Sequence, residues 1–473
     1  MDHYTEPGES RSEQQAQITL SRAMADRKDN IAAIATPAGN GGIGIVRLSG
    51  PACLQIAHSL TRISPQPRHA HFCTFRDHDE HIIDKGILLY FKGPESFTGE
   101  DVVEFHGHGG QVVMGLLLQE TLFQGARLAR PGEFTERAYL NDRIDLIQAE
   151  AIADLINSSS SRAARSAARS LDGVFSEYIN RSIETLISLR VFVEGALDFP
   201  EEEIDFLAKS DLMLRLQGLY EALTVLLKRA EAGNKLKSGL RVAIIGSPNV
   251  GKSSLLNRLL GSNRAIVTDM AGTTRDTIDE TVLLDGVQIN IVDTAGLRSA
   301  SDPVEQEGIR RTRVEIDRAD AILLVSDVEP NNPVADLKQE LGLKPDQKLL
   351  LIRNKIDINE ILPYQRITAE AMYLGVSAYS GAGIDLLEGA LKDLAGNSEA
   401  EEDLLLARKR HVDAIRVARD AIHTGMEGYL SSGSAELLAE ALRNAQSQLG
   451  EITGAFHNED LLGEIFSTFC IGK

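Results

Sequence analysis

The spacing of apolar residues changes along the chain and divides it into mixed and purely helical regions. Short apolar runs separated by glycine-rich breaks occupy residues 29–143, a pattern that predicts an α/β domain. Apolar residues recur every three or four positions over 144–238 and again over 396–473, as on the buried side of helices. Strand and helix patterns alternate between them, over 239–395. We therefore predict a helical domain that is interrupted by an inserted α/β domain.

The inserted region has the pattern of a doubly wound, mostly parallel sheet. In such a sheet the buried strands read as continuous apolar runs between helices. The last helix of the region is predicted at Ile384–Leu391. The predicted strands are Arg241–Ile245, Ile289–Val292, Ala321–Val325 and Lys348–Arg353.

The N-terminal region combines strand patterns with a candidate functional segment. The predicted strands are Ile31–Ala35, Ile43–Leu48 and Ile87–Phe91. Glycine and histidine cluster in Ser96–Gly110, beside the carboxylates of Asp101 and Glu104. Three interpretations stay open: a metal site, for which the ligand spacing is poor, a tight turn that only packs, and a ligand-binding loop. We favour the loop, because polar, glycine-rich loops are where function tends to lie.

The apolar stripes of the helical regions predict the core of a helix bundle rather than a cofactor site. Residues Phe199–Glu203 interrupt the pattern and predict a solvated turn. The stripes are Ile144, Ile147, Ala151, Leu155; Ile179, Ile183, Leu186, Val193; Leu212, Leu216, Leu219, Leu223, Leu226; Val412, Ile415, Ala418, Ile422; and Leu437, Leu438, Ala441, Leu442.

Length and charge limit the classes of function. A chain of 473 residues is long enough for about three domains at ~150 residues each. The net charge of −20 excludes a generally basic nucleic-acid-binding protein. Any contact with RNA is therefore expected at a local patch or with the help of a partner.

Cysteine usage and the N-terminus bear on the compartment. The three cysteines, Cys53, Cys73 and Cys470, lack metal-binding spacing and cannot all pair, which indicates a reducing environment. The sequence has no run of ~18 apolar residues, so it predicts no membrane span. Residues 1–28 are polar and lack the apolar core of a signal peptide, so we expect a disordered extension on a cytoplasmic protein.

The segment Gly246–Ser253 carries the clearest chemistry. It fits the phosphate-loop pattern G-x-x-x-x-G-K-[ST] and lies between a predicted strand and a predicted helix. The glycines let backbone N–H groups surround phosphate oxygens, and the helix N-terminus favours an anion. Lys252 supplies a charge for the β- and γ-phosphates, and the Ser253 hydroxyl suits Mg²⁺.

Four more motifs follow in the order that a Ras-like GTP-binding domain requires. Thr273–Asp276 and Asp293–Gly296 suit Mg²⁺ and the γ-phosphate, whereas Asn354–Asp357 and Ser377–Ala378 suit the guanine base. The residues predicted to contact GTP are Asn249, Val250, Gly251, Lys252, Ser253, Ser254, Thr268, Thr273, Thr274, Asp293, Thr294, Ala295, Gly296, Asn354, Lys355, Asp357, Ser377 and Ala378.

Hydrolysis needs an unusual residue. Leu297 stands where many small GTPases have a water-orienting glutamine. Glu305 or Glu307, on the segment that follows, could orient water instead. Asn249 could hold a monovalent cation near the phosphates, or it could only shape the loop, and the residues alone leave both alternatives open.

Taken together, these motifs resemble the MnmE (TrmE) family of tRNA-modification GTPases over about residues 29–473. The resemblance implies a folate-binding, dimer-forming N-terminal α/β domain at 29–143. A helical domain at 144–238 and 396–473 would then be interrupted by the GTPase domain at 239–395. The segments that carry the resemblance are Thr36–Arg47, Phe97–Glu104, His106–Gly109, Arg130–Ala138, Leu140–Asp142, the GTPase motifs and the C-terminal Cys470-Ile-Gly-Lys473.

The resemblance also assigns roles to single residues. It implies that Arg47, Glu104, Arg143 and Lys473 bind 5-formyltetrahydrofolate or a related folate, although the family usually has lysine where Arg143 stands. It implies Mg²⁺ contacts at Ser253 and Thr274 and K⁺ ligands at Asn249, Thr268, Met270 and Thr273. Glu305 takes the role of general base or water-orienting acid. Cys470 is a candidate catalytic thiol or part of a tail that only docks in the folate pocket.

The family's activity gives the expected function. The resemblance implies a K⁺-activated GTPase that works as a homodimer with a flavin-dependent partner, MnmG (GidA). Together they add a carboxymethylaminomethyl or aminomethyl group to carbon 5 of the wobble uridine of certain tRNAs. An alternative is a GTP-controlled switch in RNA or ribosome assembly of the Era or Der type. That alternative predicts an appended RNA-binding domain, and the sequence shows no pattern of one.

Overall fold

The chain forms two compact units in a computed structural model. The first ends at Glu150 and also takes in Thr453–Lys473, and the second is Ala151–Ile452. The expected N-terminal extension, residues 1–28, lies outside the described residues. The structure describes residues 29–158, 160–198, 206–262, 279–284, 287–293, 313–329, 333–344, 347–395, 404–454, 459–467, 469 and 472.

The first unit is built on a six-stranded sheet in the order β3-β4-β5-β2-β1-β6. Its strands are β1 Ile31–Ile34, β2 Gly41–Ser49, β3 His71–Arg76, β4 Ile82–Phe91, β5 Val102–Gly109 and β6 Arg127–Leu128. Its helices are α1 Cys53–Thr61, α2 Gln111–Phe123, α3 Glu133–Leu140 and, near the C-terminus, α13 Glu459–Ser467. Helices α1 and α2 cover one face of the sheet, where Phe75, Phe105 and Leu117 are fully buried.

The prediction of a loop over Ser96–Gly110 is wrong from Val102 onward, because these residues form β5 in the middle of the sheet. The strand needs glycine here because neighbouring atoms lie where a Cβ would be. A Cβ at Gly107 would lie 2.6 Å from Asp84 Oδ2, and one at Gly86 would lie 2.0 Å from the carbonyl oxygen of His106. These glycines, Gly86 on β4 and Gly107 on β5, therefore allow close packing between neighbouring strands.

The second unit contains the predicted helical bundle. Its helices are α4 Leu146–Ile156, which begins in the first unit, α5 Ser161–Leu171, α6 Val174–Asp198, α7 Phe206–Ser238, α11 Lys409–Ser432 and α12 Ala435–Thr453, which ends in the first unit. Helix α7 precedes the inserted sheet and α11 follows it, yet they pack together, with Arg416 donating to Glu231 at 2.7 Å. Chain segments from both sides of the insertion thus form one bundle.

The inserted region forms a seven-stranded sheet in the order β12-β13-β11-β10-β7-β9-β8, parallel except at its two edges. The strands are β7 Leu240–Ile245, β8 Asp279–Leu284, β9 Val287–Asp293, β10 Ala321–Ser326, β11 Lys348–Arg353, β12 Tyr364–Ile367 and β13 Met372–Gly375. The helices are α8 Lys252–Ser262, α9 Val334–Leu341 and α10 Ile384–Leu394, with further helical residues at 313–318.

The predicted fold class, mixed α/β regions with a helical domain and a doubly wound GTPase-type sheet, is confirmed. The four predicted strands of the insertion are all present, and β8, β12 and β13 were not predicted. Among the described residues, no helix combines the length and apolar character that crossing a bilayer requires.

Candidate functional site

The phosphate loop connects β7 to α8 and depends on residues with positive φ. Gly246 and Gly251 have φ values of +151° and +94°. A Cβ at Gly246 would lie 2.2 Å from the carbonyl oxygen of Val325, so glycine is needed for packing as well as for conformation. The loop therefore directs its backbone as a phosphate cradle requires.

Lys252 is the first residue of α8 and is only 7% exposed. Its Nζ donates to the carbonyl oxygens of Gly246 and Ser247 at 2.9 and 2.7 Å. These bonds place the ammonium group against the loop, where a β- or γ-phosphate would lie. Ser253 and Ser254, the next residues on α8, are exposed at the helix N-terminus.

Asn354 links the phosphate loop to the loop predicted to contact the base. Its side chain is almost fully buried, at 2% exposure. Nδ2 donates to the carbonyl oxygen of Val250 at 2.9 Å, and Oδ1 accepts the amide N–H of Ala378 at 3.0 Å. Asn354 therefore positions both loops through contacts within the protein.

The remaining described residues of the base side lie close to this bridge. Lys355 has a φ of +62°, and its Nζ donates to the carbonyl oxygen of Asn249 at 2.7 Å. Asp357 is exposed in the 3-10 turn Ile356–Asn359. Ser377 is fully buried, and its Oγ accepts the amide N–H of Ser380. An exposed carboxylate next to an ordered loop suits the N–H donors of guanine.

The structure bears on both interpretations of Asn249. Its φ of +64° suits a loop-shaping role, since asparagine tolerates the left-handed region better than most residues. Its side chain is exposed and makes no hydrogen bond to any described residue, so the amide oxygen remains accessible to a cation. Both roles are compatible with this geometry.

Most of the residues predicted to contact Mg²⁺, K⁺ and the γ-phosphate lie outside the described part of the chain. Asp293 ends β9 beside Ile244 of β7, which puts its backbone at the carboxyl edge of the sheet next to the phosphate loop. The predicted residues that lie outside the described ones are Thr268, Met270, Thr273, Thr274, Thr294, Ala295, Gly296, Glu305, Cys470 and Lys473.

The first unit brings together two of the predicted folate contacts. Arg47 of β2 and Glu104 of β5 are direct cross-strand partners, with Nε 2.8 Å from Oε1. His106 lies two residues further along β5 on the same face, with Nε2 3.1 Å from Glu104 Oε2. Burial alone would raise the pKa of Glu104, but the His106 hydrogen bond and the Arg47 charge outweigh it and lower that pKa. Glu104 is therefore an ionised acceptor at neutral pH.

The loop before β5 reaches both Arg47 and Arg143. The Arg47 guanidinium lies 5.7 Å from the ring centre of Phe97. Gly99 has a φ of +77°, and a Cβ there would lie 3.2 Å from Arg143 Cγ. The Arg143 guanidinium is 3.9 Å from Glu95 Oε2, and the residue is exposed. Near the C-terminus, Gly472 is buried, and a Cβ there would lie 2.5 Å from the carbonyl oxygen of Ile34.

Sequence reasoning missed His106 as a partner of Glu104, although side chains two residues apart on a strand share a face. It also missed the ion network of α3, in which Arg137 contacts Asp29, Glu100 and Glu133 at 2.6, 3.0 and 3.3 Å. The metal-site interpretation of the histidine-rich segment gains no support. No group of three or more histidine, cysteine or carboxylate side chains suited to a metal occurs in the described part of the chain.

Comparisons with known proteins find matches to the N-terminal region and to the region that contains the helical bundle and the inserted sheet. Two family models match, one described as GTP-binding protein TrmE N-terminus over residues 30–143, and one as MnmE helical domain over residues 146–470. A relative from Stutzerimonas stutzeri named tRNA modification GTPase MnmE is 51% identical over 455 residues, covering 95% of this chain and 100% of the relative. Relatives of the same name from Pseudomonas syringae pv. tomato and Chromohalobacter salexigens are 50% and 49% identical, covering 94% of this chain and 99% and 98% of theirs.

Proposed function

The chain belongs to the MnmE family of tRNA modification GTPases, and on that premise we propose that it is a K⁺-activated GTP hydrolase that modifies wobble uridines. The proposed product carries a carboxymethylaminomethyl or aminomethyl group at carbon 5 of the uridine. The observation that carries the proposal is the hydrogen-bonded bridge through Asn354, which joins a phosphate loop and a base-side loop into one site.

In the proposed reaction, the residues of the second unit bind and orient GTP. Lys252 holds positive charge at the phosphate loop, and Asp357 accepts N–H donors from guanine. Ser253 and Thr274 would hold Mg²⁺, and Asn249, Thr268, Met270 and Thr273 would supply oxygens for K⁺. Either cation would offset the negative charge that develops on the transferred phosphoryl group. Glu305 orients the attacking water, because Leu297 cannot.

The first unit is proposed to bind a folate that supplies the one-carbon unit. The ionised Glu104 matches the N–H donors of a pterin ring, and its ion-pair partner Arg47 would hold that carboxylate in place. Arg143 and Lys473 match the carboxylates of the folate glutamate. Support for this comes from the hydrogen-bonded Arg47–Glu104 pair and from Phe97, whose ring offers an apolar surface beside it. A role for Cys470 as a catalytic thiol is part of the proposal.

The proposed assembly is a homodimer that acts on tRNA together with a flavin-dependent partner of the MnmG type. The test is mass-spectrometric nucleoside analysis of bulk tRNA from a strain that lacks this protein. We expect loss of the carboxymethylaminomethyl and aminomethyl wobble uridines and their return on complementation. An unchanged nucleoside profile would overturn the proposal and favour a GTP-controlled assembly switch of the Era or Der type.

A further inference from the structure

Helix α5, Ser161–Leu171, carries a concentration of positive charge that the GTP and folate sites do not use. Its sequence contains three arginines, Arg162, Arg165 and Arg169, and no aspartate or glutamate. In a chain with 69 acidic and 49 basic residues, this segment is a local excess of positive charge. The bulk of the molecule repels polyanions, so a local patch of this kind determines where one can approach.

The three arginines lie on one side of the helix. With a rotation of ~100° per residue, positions 162, 165 and 169 fall within an arc of about 60°. They extend over about 10 Å along the axis, which is close to the axial span of four consecutive phosphates on one duplex strand at ~3.4 Å per step. The buried side of the helix is a different one and consists of Ala163, Ser166, Ala167 and Ser170.

The side chains around the arginines leave room for a backbone to come close. The other residues of α5 outside its buried side are Ser161, Ala164, Ala168 and Leu171, and three of these four are small. Arg165 is exposed and makes no hydrogen bond or ion pair with any other described residue. Its guanidinium is therefore available for a phosphate, which it can bind through two parallel N–H donors.

A segment that ends in the basic residues Arg408 and Lys409 begins against the buried side of this helix. Ser166 Oγ donates to the carbonyl oxygen of Leu404 at 3.1 Å, and Arg408 contacts Asp154 of α4 at 3.1 Å. Residues 404–408 therefore run from the middle of α5 toward the end of α4. The next residue, Lys409, is exposed and, within the part of the chain that the structure describes, has no hydrogen-bonding or ion-pair partner. We use the term basic face for the α5 arginines together with Lys409, the first residue of α11.

We propose that the basic face, Arg162, Arg165, Arg169 and Lys409, docks the sugar–phosphate backbone of tRNA. The inference rests on the proposed function, because it is the tRNA modification role that makes tRNA the expected polyanion. Contacts of this kind fix the position and orientation of an RNA without reading its sequence. The basic face thus would hold the tRNA on the second unit, apart from any contact with the uridine itself.

The test compares two double variants of the full-length protein with the same loss of charge. Arg165→Gln/Lys409→Gln removes the two cations of the basic face that have no partner among the described residues. Arg181→Gln/Lys228→Gln removes two exposed cations of α6 and α7 and serves as the control. Binding of an unmodified tRNA transcript is measured over a series of KCl concentrations, and GTP turnover without tRNA is measured in parallel.

We expect the basic-face variant to bind tRNA about tenfold more weakly at low salt, with the slope of log K against log[KCl] reduced by roughly 1.4 to 1.8 for two lost phosphate contacts. The control should keep the wild-type slope, and both should keep wild-type GTP turnover. Equal loss in both variants, or no loss in either, would overturn the inference. So would normal tRNA binding combined with weaker binding of a flavin-dependent partner protein.

The outcome is separable from that of the proposed function. Suppose that the deletion strain loses the modified wobble uridines and that the basic-face variant binds tRNA as the wild type does. The proposed function would then stand, and only this inference would be removed. An unchanged nucleoside profile in the deletion strain would remove the proposed function, whatever the binding data show.

Discussion

Asn354 donates a hydrogen bond from Nδ2 to the carbonyl oxygen of Val250 over 2.9 Å, and this bond ties the base-side loop to the phosphate loop. The two residues are 104 positions apart in the sequence. A Cβ at the neighbouring Gly251 would lie 2.3 Å from the same nitrogen, so glycine is what allows this approach. The geometry of the nucleotide site thus depends on a buried amide that need not touch the nucleotide.

Replacing Asn354 with alanine should weaken GTP binding. The change leaves the Val250 carbonyl and the Ala378 amide without their buried partner, at about 1–3 kcal/mol each. We expect GTP affinity to fall by about 10- to 100-fold, measured with a fluorescent GTP analogue. Asn359→Ala, at an exposed position of the adjacent 3-10 turn, is the matched control and should bind normally. Normal binding by Asn354→Ala would contradict the bridging role.

Asp357→Asn should change the base preference. An amide presents a donor where the carboxylate presents only acceptors, so the site loses its match to guanine and gains one to xanthine, which has a carbonyl in place of the amino group. We expect weaker GTP binding, tighter XTP binding and turnover of XTP. Asp385→Asn on α10 should change neither. Retained GTP selectivity in Asp357→Asn would show that another residue reads the base.

How well the sequence predicted each part depends on burial. The strands β7, β10 and β11 are central, so their apolar runs were recognised. The edge strand β12 and its short neighbour β13 have too few residues to show a pattern. The glycines of Val102–Gly109 predict a loop, because glycine weakens an isolated strand. The close approaches between Gly86 and His106 and between Gly107 and Asp84 show why glycine is needed there.

In the candidate site, the sequence predicted the local motifs but not the contacts between distant segments. Local motifs identified the nucleotide-binding residues, because phosphate and guanine each need fixed residue types at fixed spacing. The Asn354–Val250 bond and the Arg47–Glu104 pair join distant segments, so no local pattern reports them. The resemblance to a family, and not the spacing of residues, identified Arg47 and Glu104 as predicted folate contacts.

The two roles of Asn249 can be separated by substitution with glycine. Glycine keeps the left-handed backbone at φ +64° and removes only the side-chain amide. We expect wild-type GTP turnover to rise with K⁺ and not with Na⁺, and Asn249→Gly to lose that rise while keeping GTP affinity. Asn249→Asp, which retains an oxygen, should respond to K⁺ at least in part. K⁺ stimulation that survives in Asn249→Gly would leave the residue a loop-shaping role alone.

Glu133 should stabilise the first unit. It is buried beside Arg127, Arg130 and Arg137. Glu133→Gln should lower the free energy of unfolding by about 1.5–3 kcal/mol, because it removes the charge from buried hydrogen bonds while Arg127 and Arg137 keep their contacts with Asp29. Urea denaturation at pH 7 measures this change. Glu136→Gln, which alters a partly exposed pair with Arg130, should cost less than about 1 kcal/mol.

The same carboxylate predicts how stability depends on pH. Burial alone would raise the pKa of Glu133, but hydrogen bonds from Arg127 and the Arg130 amide lower it from 4.5 to about 2. Its contribution is therefore fully present above the unfolded-state pKa and is lost as pH falls through the folded-state pKa. Between pH 4.5 and 2, the wild type should lose stability more steeply than Glu133→Gln. Parallel curves for the two proteins would contradict this assignment.

The measurement that tests the central claim most directly couples the GTP site to the tRNA product. A strain lacking this protein is complemented with the wild type, with Lys252→Ala or with Lys228→Ala, at matched expression, and its bulk tRNA nucleosides are quantified by mass spectrometry. We predict that the wild type and Lys228→Ala restore the carboxymethylaminomethyl and aminomethyl wobble uridines, and that Lys252→Ala does not. Full restoration by Lys252→Ala would contradict the claim that GTP binding at this loop drives tRNA modification.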